Sequence, residues 1–145
     1  MMPPKIIVAS TDFSELSRHA VEYAADLAAV LGAKLVLVHV YQMPPMLLPG
    51  ASGVVAELAV RIPREAEEML VAQAKRLERP SLEVRTVLKE GDPRDGILHV
   101  AEAEHADLLV MGTHGRRGLS RALIGSVAEA ALRTAPCPVL TVHPR

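Results

Sequence analysis

Short apolar runs alternate with helical patterns along the whole chain, and this alternation limits the fold more than any other feature. The runs lie at 5–10, 33–41, 81–88, 106–112 and 136–144. The first segment between them spaces apolar residues three and four positions apart, from Leu16 to Leu31, as an amphipathic helix does. Strands that alternate with helices predict one open parallel sheet with right-handed crossovers and helices on both faces. We therefore expect an α/β fold and a single domain over 1–145.

The pattern of apolar and charged residues in each run indicates which strands are covered on both faces. "KIIVAS" and "AKLVLVHVY" are continuously apolar, which is typical of strands buried on both faces. "SLEVRTVL" alternates apolar with charged residues, so we expect this third strand near an edge of the sheet. The 42–62 connection is long for a compact domain. It is open at this point whether it forms a lid, an interface arm or an extra helical turn.

Capping residues predict where the helices begin. We expect Ser14 or Asp12 to cap the first helix, and Asp92 to cap the one that precedes the fourth strand. Pro63 is expected near the first turn of the second helix. Ser126 and Glu129 have the S-x-x-E spacing of a capping box at the start of the last helix.

Composition excludes several classes of protein. Sixteen basic against 17 acidic residues give a net charge of −1, and one Phe and two Tyr are the only aromatic residues. Neither a nucleic-acid surface nor a polybasic membrane patch is expected from these numbers. The longest apolar run is far shorter than the roughly 18 residues that span a bilayer. A single cysteine forms no internal disulfide and fits a reducing compartment, so we expect the cytoplasm.

The glycine-rich segment "MGTHGRRGLSRALIGS" follows the fourth strand at residues 111–126. Ligands of open parallel sheets bind beyond the carboxyl ends of the strands. Gly112 and Gly115 leave the backbone amides accessible, and Gly125 with Ser126 opens a helix whose first N–H groups attract anions. The spacing matches neither a P-loop nor the dinucleotide fingerprint. The segment therefore indicates a phosphate cradle, while turn formation alone is the alternative explanation.

The first strand runs into Ser10, Thr11 and Asp12. If the first and fourth strands are neighbours, these residues and the glycine segment share one crevice. Asp12 is a candidate for metal-linked binding, and its alternative role is to cap the first helix.

Gly112-x-x-Gly115, nine residues and Gly125-Ser126 resemble the ATP-binding signature of the universal stress protein family. "TDFSE" after the first strand, "HV" at 39–40 and "PCPVLTV" near the end are also similar to that family. The resemblance covers essentially the whole chain. It implies a Rossmann-like, five-stranded sheet in the order 3-2-1-4-5, ATP between strands 1 and 4, and a homodimer formed through the last strand at about 138–143.

The resemblance also implies a set of nucleotide-binding residues. Carried over by position, these are Ser10, Thr11, Asp12, Val40, Met111, Gly112, His114, Gly115, Gly125, Ser126 and Val127. Val40 would offer its backbone to the adenine, and His114 would bond ribose or phosphate or else face water. Mg²⁺ or Mn²⁺ would be held through phosphate oxygens, with Asp12 acting at most indirectly.

Arg116 and Arg117 depart from the pattern by adding charge to the spacer. Our hypothesis is that they neutralise phosphate charge, against the alternative of a solvated basic loop. The function that the resemblance implies is a nucleotide-dependent switch or sensor in the stress response, with slow hydrolysis at most. Two alternatives remain: a nucleotide hydrolase, and a dimeric scaffold that binds no nucleotide. Against the first, "ASTDFS" has no glycine; against the second, Gly112, Gly115 and Gly125 are all present.

Overall fold

The sheet has five parallel strands in the order β3-β2-β1-β4-β5, which confirms the predicted architecture. The computed structural model describes residues 2–45, 52–114 and 123–144. The elements along the chain are β1 (Ile6–Ser10), α1 (Glu15–Leu31), β2 (Lys34–Tyr41), α2 (Ser52–Leu77), β3 (Val84–Glu90), α3 (Pro93–Ala103), β4 (Leu108–Gly112), α4 (Ser126–Thr134) and β5 (Val139–Val142). The assignment of 1–145 to one domain stays a prediction.

Helices cover both faces of the sheet, which is why the central strands are continuously apolar. On one face, Ile7, Leu35 and Leu37 pack against α1 and α2. On the other, Val8, Leu109 and their neighbours pack against α3 and α4. Successive side chains of a strand point to opposite faces, so a strand covered on both sides needs apolar residues at every position.

The two outer strands are less buried than the central ones. β3 lies at one edge, as its alternating sequence predicts, although it begins at Val84 and not at 81. An antiparallel bridge between Arg79 and Leu82 reverses the chain first. β5 lies at the other edge, and each of its residues is only partly buried.

The prediction that Pro63 lies near the start of a helix is wrong. α2 begins at Ser52, and Pro63 lies inside it. Proline removes one helical hydrogen bond and leaves the carbonyl four residues earlier, that of Ala59, without its donor. Residues around this point are mostly exposed, so water can reach that carbonyl. α2 is the longest helix, yet none among the described residues is long and apolar enough to cross a membrane.

Two of the predicted caps are confirmed and one is wrong. Ser14 Oγ accepts from the backbone N–H of Ser17, and the Asp92 side chain accepts from that of Arg94. The capping box at Ser126 does not form, because α4 starts one position earlier than its pattern suggests. Gly125 is the N-cap residue, and within the described residues no side-chain capping bond is made there.

Candidate functional site

A crevice of about 590 Å³ opens at the carboxyl ends of β1 and β4, between the starts of α3 and α4. Eight of the predicted site residues line it: Ser10, Asp12, Met111, Gly112, His114, Gly125, Ser126 and Val127. The β1–β4 pairing brings the two sequence segments together, since Ile7 lies opposite Leu108 and Ala9 opposite Val110. Their joint location at one site is the arrangement that the strand ends predict.

The start of α4 offers backbone donors to this crevice. Ser126, Val127 and Ala128 all line it. The first N–H groups of a helix have no intrahelical acceptor and carry the positive end of its dipole. The amide of Gly125 is bonded to the carbonyl of Thr113 at 2.7 Å, which fixes the helix start to the end of β4. This end of the crevice is suited to an anion.

Hydrogen bonds hold the loop between β1 and α1 in shape. Thr11 donates its amide to Val38 and takes a bond from the amide of Phe13 on its own hydroxyl oxygen, at 2.9 and 3.1 Å. The Asp12 carboxylate accepts from the amide of Ser14 at 2.9 Å. Phe13 has φ +64°, a left-handed conformation that costs a non-glycine residue about 1–3 kcal/mol. Thr11 thus organises the loop and does not line the crevice; a ligand contact from it stays a prediction.

A residue near the end of β2 contacts the same loop. His39 Nδ1 lies 2.7 Å from the carbonyl oxygen of Thr11, and its ring contacts Phe13 with 4.3 Å between centroids. Val40 is buried beneath the first turn of α3. A β-carbon placed on Gly96 would lie 2.8 Å from Val40 Cγ2, so only glycine lets α3 approach this closely. The predicted contact of the Val40 backbone with adenine is not tested by this packing.

The end of β4 forms the floor of the crevice. Met111 is buried in the apolar cluster under α3 and α4. Among the described residues, a β-carbon on Gly112 would meet only ordinary contacts at 3.5 Å or more, so their packing does not demand a glycine here. His114 is 4% exposed, and its Nδ1 lies 2.9 Å from Thr113 Oγ1. The alternative that His114 faces water is therefore wrong.

The start of α3 forms the wall that sequence reasoning missed. Asp92, Arg94 and Ile97 line the crevice, and Gln42 joins them from the end of β2. Asp92 was expected only to cap the helix, which it also does. Bonds from the side chain and backbone of Arg94 hold the pKa of Asp92 below its ordinary value. The available signal was position: α3 follows β3 at the edge of the sheet where β1 and β4 end.

Four further lining residues were also missed: Ser17, Pro93, Thr113 and Ala128. Gly115, Arg116 and Arg117 lie outside the described residues, so their predicted contacts stay predictions. Within 2–45, 52–114 and 123–144, no three histidine, cysteine or acidic side chains are grouped to hold a metal ion. A divalent cation here would depend on phosphate oxygens and water, with Asp12 near it at the crevice.

Known proteins resemble this chain over nearly all of its length. The family model described as "Universal stress protein family" matches residues 3–143. Universal stress protein MJ0531 of Methanocaldococcus jannaschii is 36% identical, over 95% of this chain and 81% of that protein. A universal stress protein of Thermus aquaticus is 34% identical, over 96% of this chain and 98% of that protein.

Solved structures show the same fold. Protein MJ0577 superposes with a TM-score of 0.85 at 28% identity, covering 100% of this chain and 99% of that one. A universal stress protein in complex with cAMP gives 0.61 at 30%, with coverages of 97% and 98%. One from Archaeoglobus fulgidus in complex with dAMP gives 0.65 at 25%, also over 97% and 98%. With the family model, the relatives and the fold in agreement, this chain belongs to the universal stress protein family.

Proposed function

We propose that this protein binds ATP in the crevice between the starts of α3 and α4. The observation that carries the proposal is the start of α4, where Gly125 leaves the helix without a side-chain cap while Ser126 and Val127 line the crevice. An uncapped helix start is a ready anion site, and glycine allows close approach of the ligand. Family members solved with cAMP and dAMP support an adenine nucleotide as the ligand class.

The shape of the crevice suggests how the nucleotide is oriented. The phosphates bind at the N–H groups of α4, and the ribose lies over Ser10 and Gly112. The base points toward the end of β2 and the start of α3, where Ile97 and Met111 provide apolar surface. Mg²⁺ or Mn²⁺ accompanies the phosphates, with Asp12 as the nearest predicted partner.

The proposed role is a nucleotide-dependent switch or sensor in the stress response, with slow hydrolysis at most. The polar groups nearest the expected phosphates already serve the structure: Asp12 accepts from the Ser14 amide, and His114 pairs with Thr113. Fast phosphoryl transfer uses dedicated cations and a residue that positions the nucleophile, and reaches roughly 1–100 per second in kinases. A rate in that range would favour the alternative of a nucleotide hydrolase.

Small molecules released from the purified, denatured protein test the ligand directly. We expect mass spectrometry to recover an adenine nucleotide, and calorimetry of the emptied protein to give heat with ATP and magnesium. Recovery of none, together with no heat, would overturn the proposal and favour the alternative of a scaffold without nucleotide.

We also propose a homodimer through the free edge of β5. The carbonyls of Pro138 and Val142 accept from β4, so by the alternation of a parallel ladder the amide of Thr141 points away from it. Thr141→Pro removes that outward donor and should turn a dimer into a monomer in light scattering. A wild-type monomer, or a dimer unaffected by this change, would refute the interface. The cytoplasm remains the proposed compartment, supported by the single cysteine.

A further inference from the structure

We propose that the guanidinium group of Arg94 covers the base of the bound nucleotide and thereby contributes to adenine binding. This inference rests on the proposed nucleotide site and concerns the end of the crevice away from α4. Arg94 is the only lysine or arginine among the described residues of the lining. The proposed phosphate site at α4 gives Arg94 no role, so its place in the lining needs another explanation.

Asp92 holds the Arg94 side chain in a defined position at the crevice mouth. Arg94 Nε lies 3.3 Å from Asp92 Oδ1, and Nη2 lies 3.4 Å from Oδ2. The same carboxylate caps α3 by accepting from the Arg94 amide at 2.8 Å, so the pair is anchored to the helix start. Both contacts use the edge of the guanidinium, and no aromatic ring of the described residues lies on its flat faces, on which a planar base can stack.

The charge of this pair argues against a phosphate partner. Asp92 neutralises the guanidinium, and its carboxylate would repel a phosphate placed beside Arg94. The lowered pKa of Asp92 keeps the carboxylate ionised at neutral pH, so this repulsion persists. Stacking on an aromatic base requires the plane of the guanidinium and not a net positive charge of the pair.

Position within the fold places Arg94 at the base end. The first turn of α3 lies against Val40 of β2, as the close approach of Gly96 shows. The start of α4 is fixed to the end of β4 through the Gly125 to Thr113 bond. β1 separates β2 from β4 in the sheet, so the two helix starts stand at opposite ends of the crevice. With phosphates at α4, the base is the part of the nucleotide that reaches Arg94.

Binding of three probes separates a base contact from a phosphate contact. Dissociation constants are measured for ATP, adenosine and inorganic triphosphate with wild-type protein and with Arg94→Ala. We expect the variant to weaken ATP and adenosine by the same factor, about two- to five-fold, as the loss of an exposed stacking contact of a guanidinium on a ring would. Triphosphate, which lacks a base, should bind both proteins equally.

Two further variants sharpen the result. Arg94→Lys keeps the charge but not the plane, so it should behave like Arg94→Ala. Arg133→Ala makes the same charge change on α4, at a side chain that is 75% exposed and paired with Glu129 outside the crevice lining, and should leave all three constants unchanged. Thermal denaturation of each variant checks that the fold is retained.

Each other outcome decides against the inference. A loss confined to ATP and triphosphate would make Arg94 a phosphate ligand. Equal binding of every probe by wild type and Arg94→Ala would remove Arg94 from the site while leaving the proposed function intact. A wild-type protein that binds none of the probes would overturn the proposed function, and this inference with it.

Discussion

Helices α3 and α4 begin at the same crevice, but their first turns are built in opposite ways. α3 starts with a carboxylate: Asp92 caps it and pairs with Arg94. α4 starts with Gly125 and has no side-chain cap. The backbone of each start carries partial positive charge and N–H groups that have no intrahelical acceptor. Within the described residues, a side chain caps the start of α3, and none caps the start of α4.

The difference indicates which helix start would receive the anion of the proposed ligand. A capping carboxylate occupies the position that a phosphate would take, so α3 is closed to an anion by its own sequence. At α4 no described side chain takes that position. Two helix starts at one crevice therefore need not share a function, and the capping residue distinguishes them.

Of the changes that test this comparison, a carboxylate placed at the start of α4 should have the largest effect. Gly125 has φ −62° and ψ 154°, an extended geometry that any residue adopts, so Gly125→Asp can cap the helix as Asp92 caps α3. We expect ATP affinity to fall by roughly ten- to a hundredfold, the value of one or two charge-assisted hydrogen bonds. Thermal stability should stay level or rise by a few tenths of a kcal/mol.

Gly53→Asp is the matched control, because it adds the same charge in the first turn of α2, where a β-carbon meets nothing within 4 Å. Calorimetry with ATP compares the two variants. Wild-type ATP affinity in Gly125→Asp would show that the anion does not bind at α4. It would contradict the conclusion that the capping residue decides which helix start binds the anion.

Crowding the start of α3 should give the next largest effect. The β-carbon of Gly96→Ala would lie 2.8 and 2.9 Å from the two methyl groups of Val40. We expect a loss of roughly 1–3 kcal/mol in unfolding free energy, since a packed core resists an added methyl group. Chemical denaturation measures it. The loss should shrink when Val40→Ala is made as well, and two losses that simply add would contradict the proposed clash.

Acid titration of the α3 cap should give the smallest effect. Hydrogen bonds from Arg94 lower the pKa of Asp92 in the folded protein, so its contribution to stability is complete above the ordinary value of 3.8. That contribution is lost as the pH falls below 3.8 and through the lower folded pKa. At neutral pH, Asp92→Asn should melt below wild type, and the gap should close in acid.

Melting curves collected from about pH 7 to about pH 2.5 test this dependence. Asparagine keeps the capping ability, so the comparison isolates the charge. A gap between the two proteins that stays constant across the range would show that the Asp92–Arg94 pair does not stabilise α3.

The fold followed from the sequence because its signals were redundant. Continuously apolar runs such as "KIIVAS" identified the covered strands, and the polar and glycine residues at the strand ends predicted where the crevice lies. The order of the strands came from the family resemblance, and the pairing of β1 with both β2 and β4 confirms it.

The errors arose where neighbouring residues compete for one role. Gly125 and Ser126 both suit an N-cap position, and the sequence alone does not decide between them. Pro63 suggested a helix start, yet the exposed surroundings allow it inside α2. Asp92 was predicted only as a helix cap, although it also lines the wall of the crevice together with Arg94. A local sequence pattern predicts one role for a residue, such as a helix cap, while the tertiary fold can give the same residue a second role.

The tightly bonded turn between β1 and α1 has a consequence for how a signal could leave the crevice. Phe13, held left-handed against His39, and the bonds of Thr11 and Asp12 give this turn its final shape before a ligand arrives. A ligand that meets a preformed turn loses little affinity to the cost of ordering it. If a nucleotide binds in the crevice as proposed, we expect any change of shape on binding to occur at the start of α4, where Gly125 makes no side-chain capping bond.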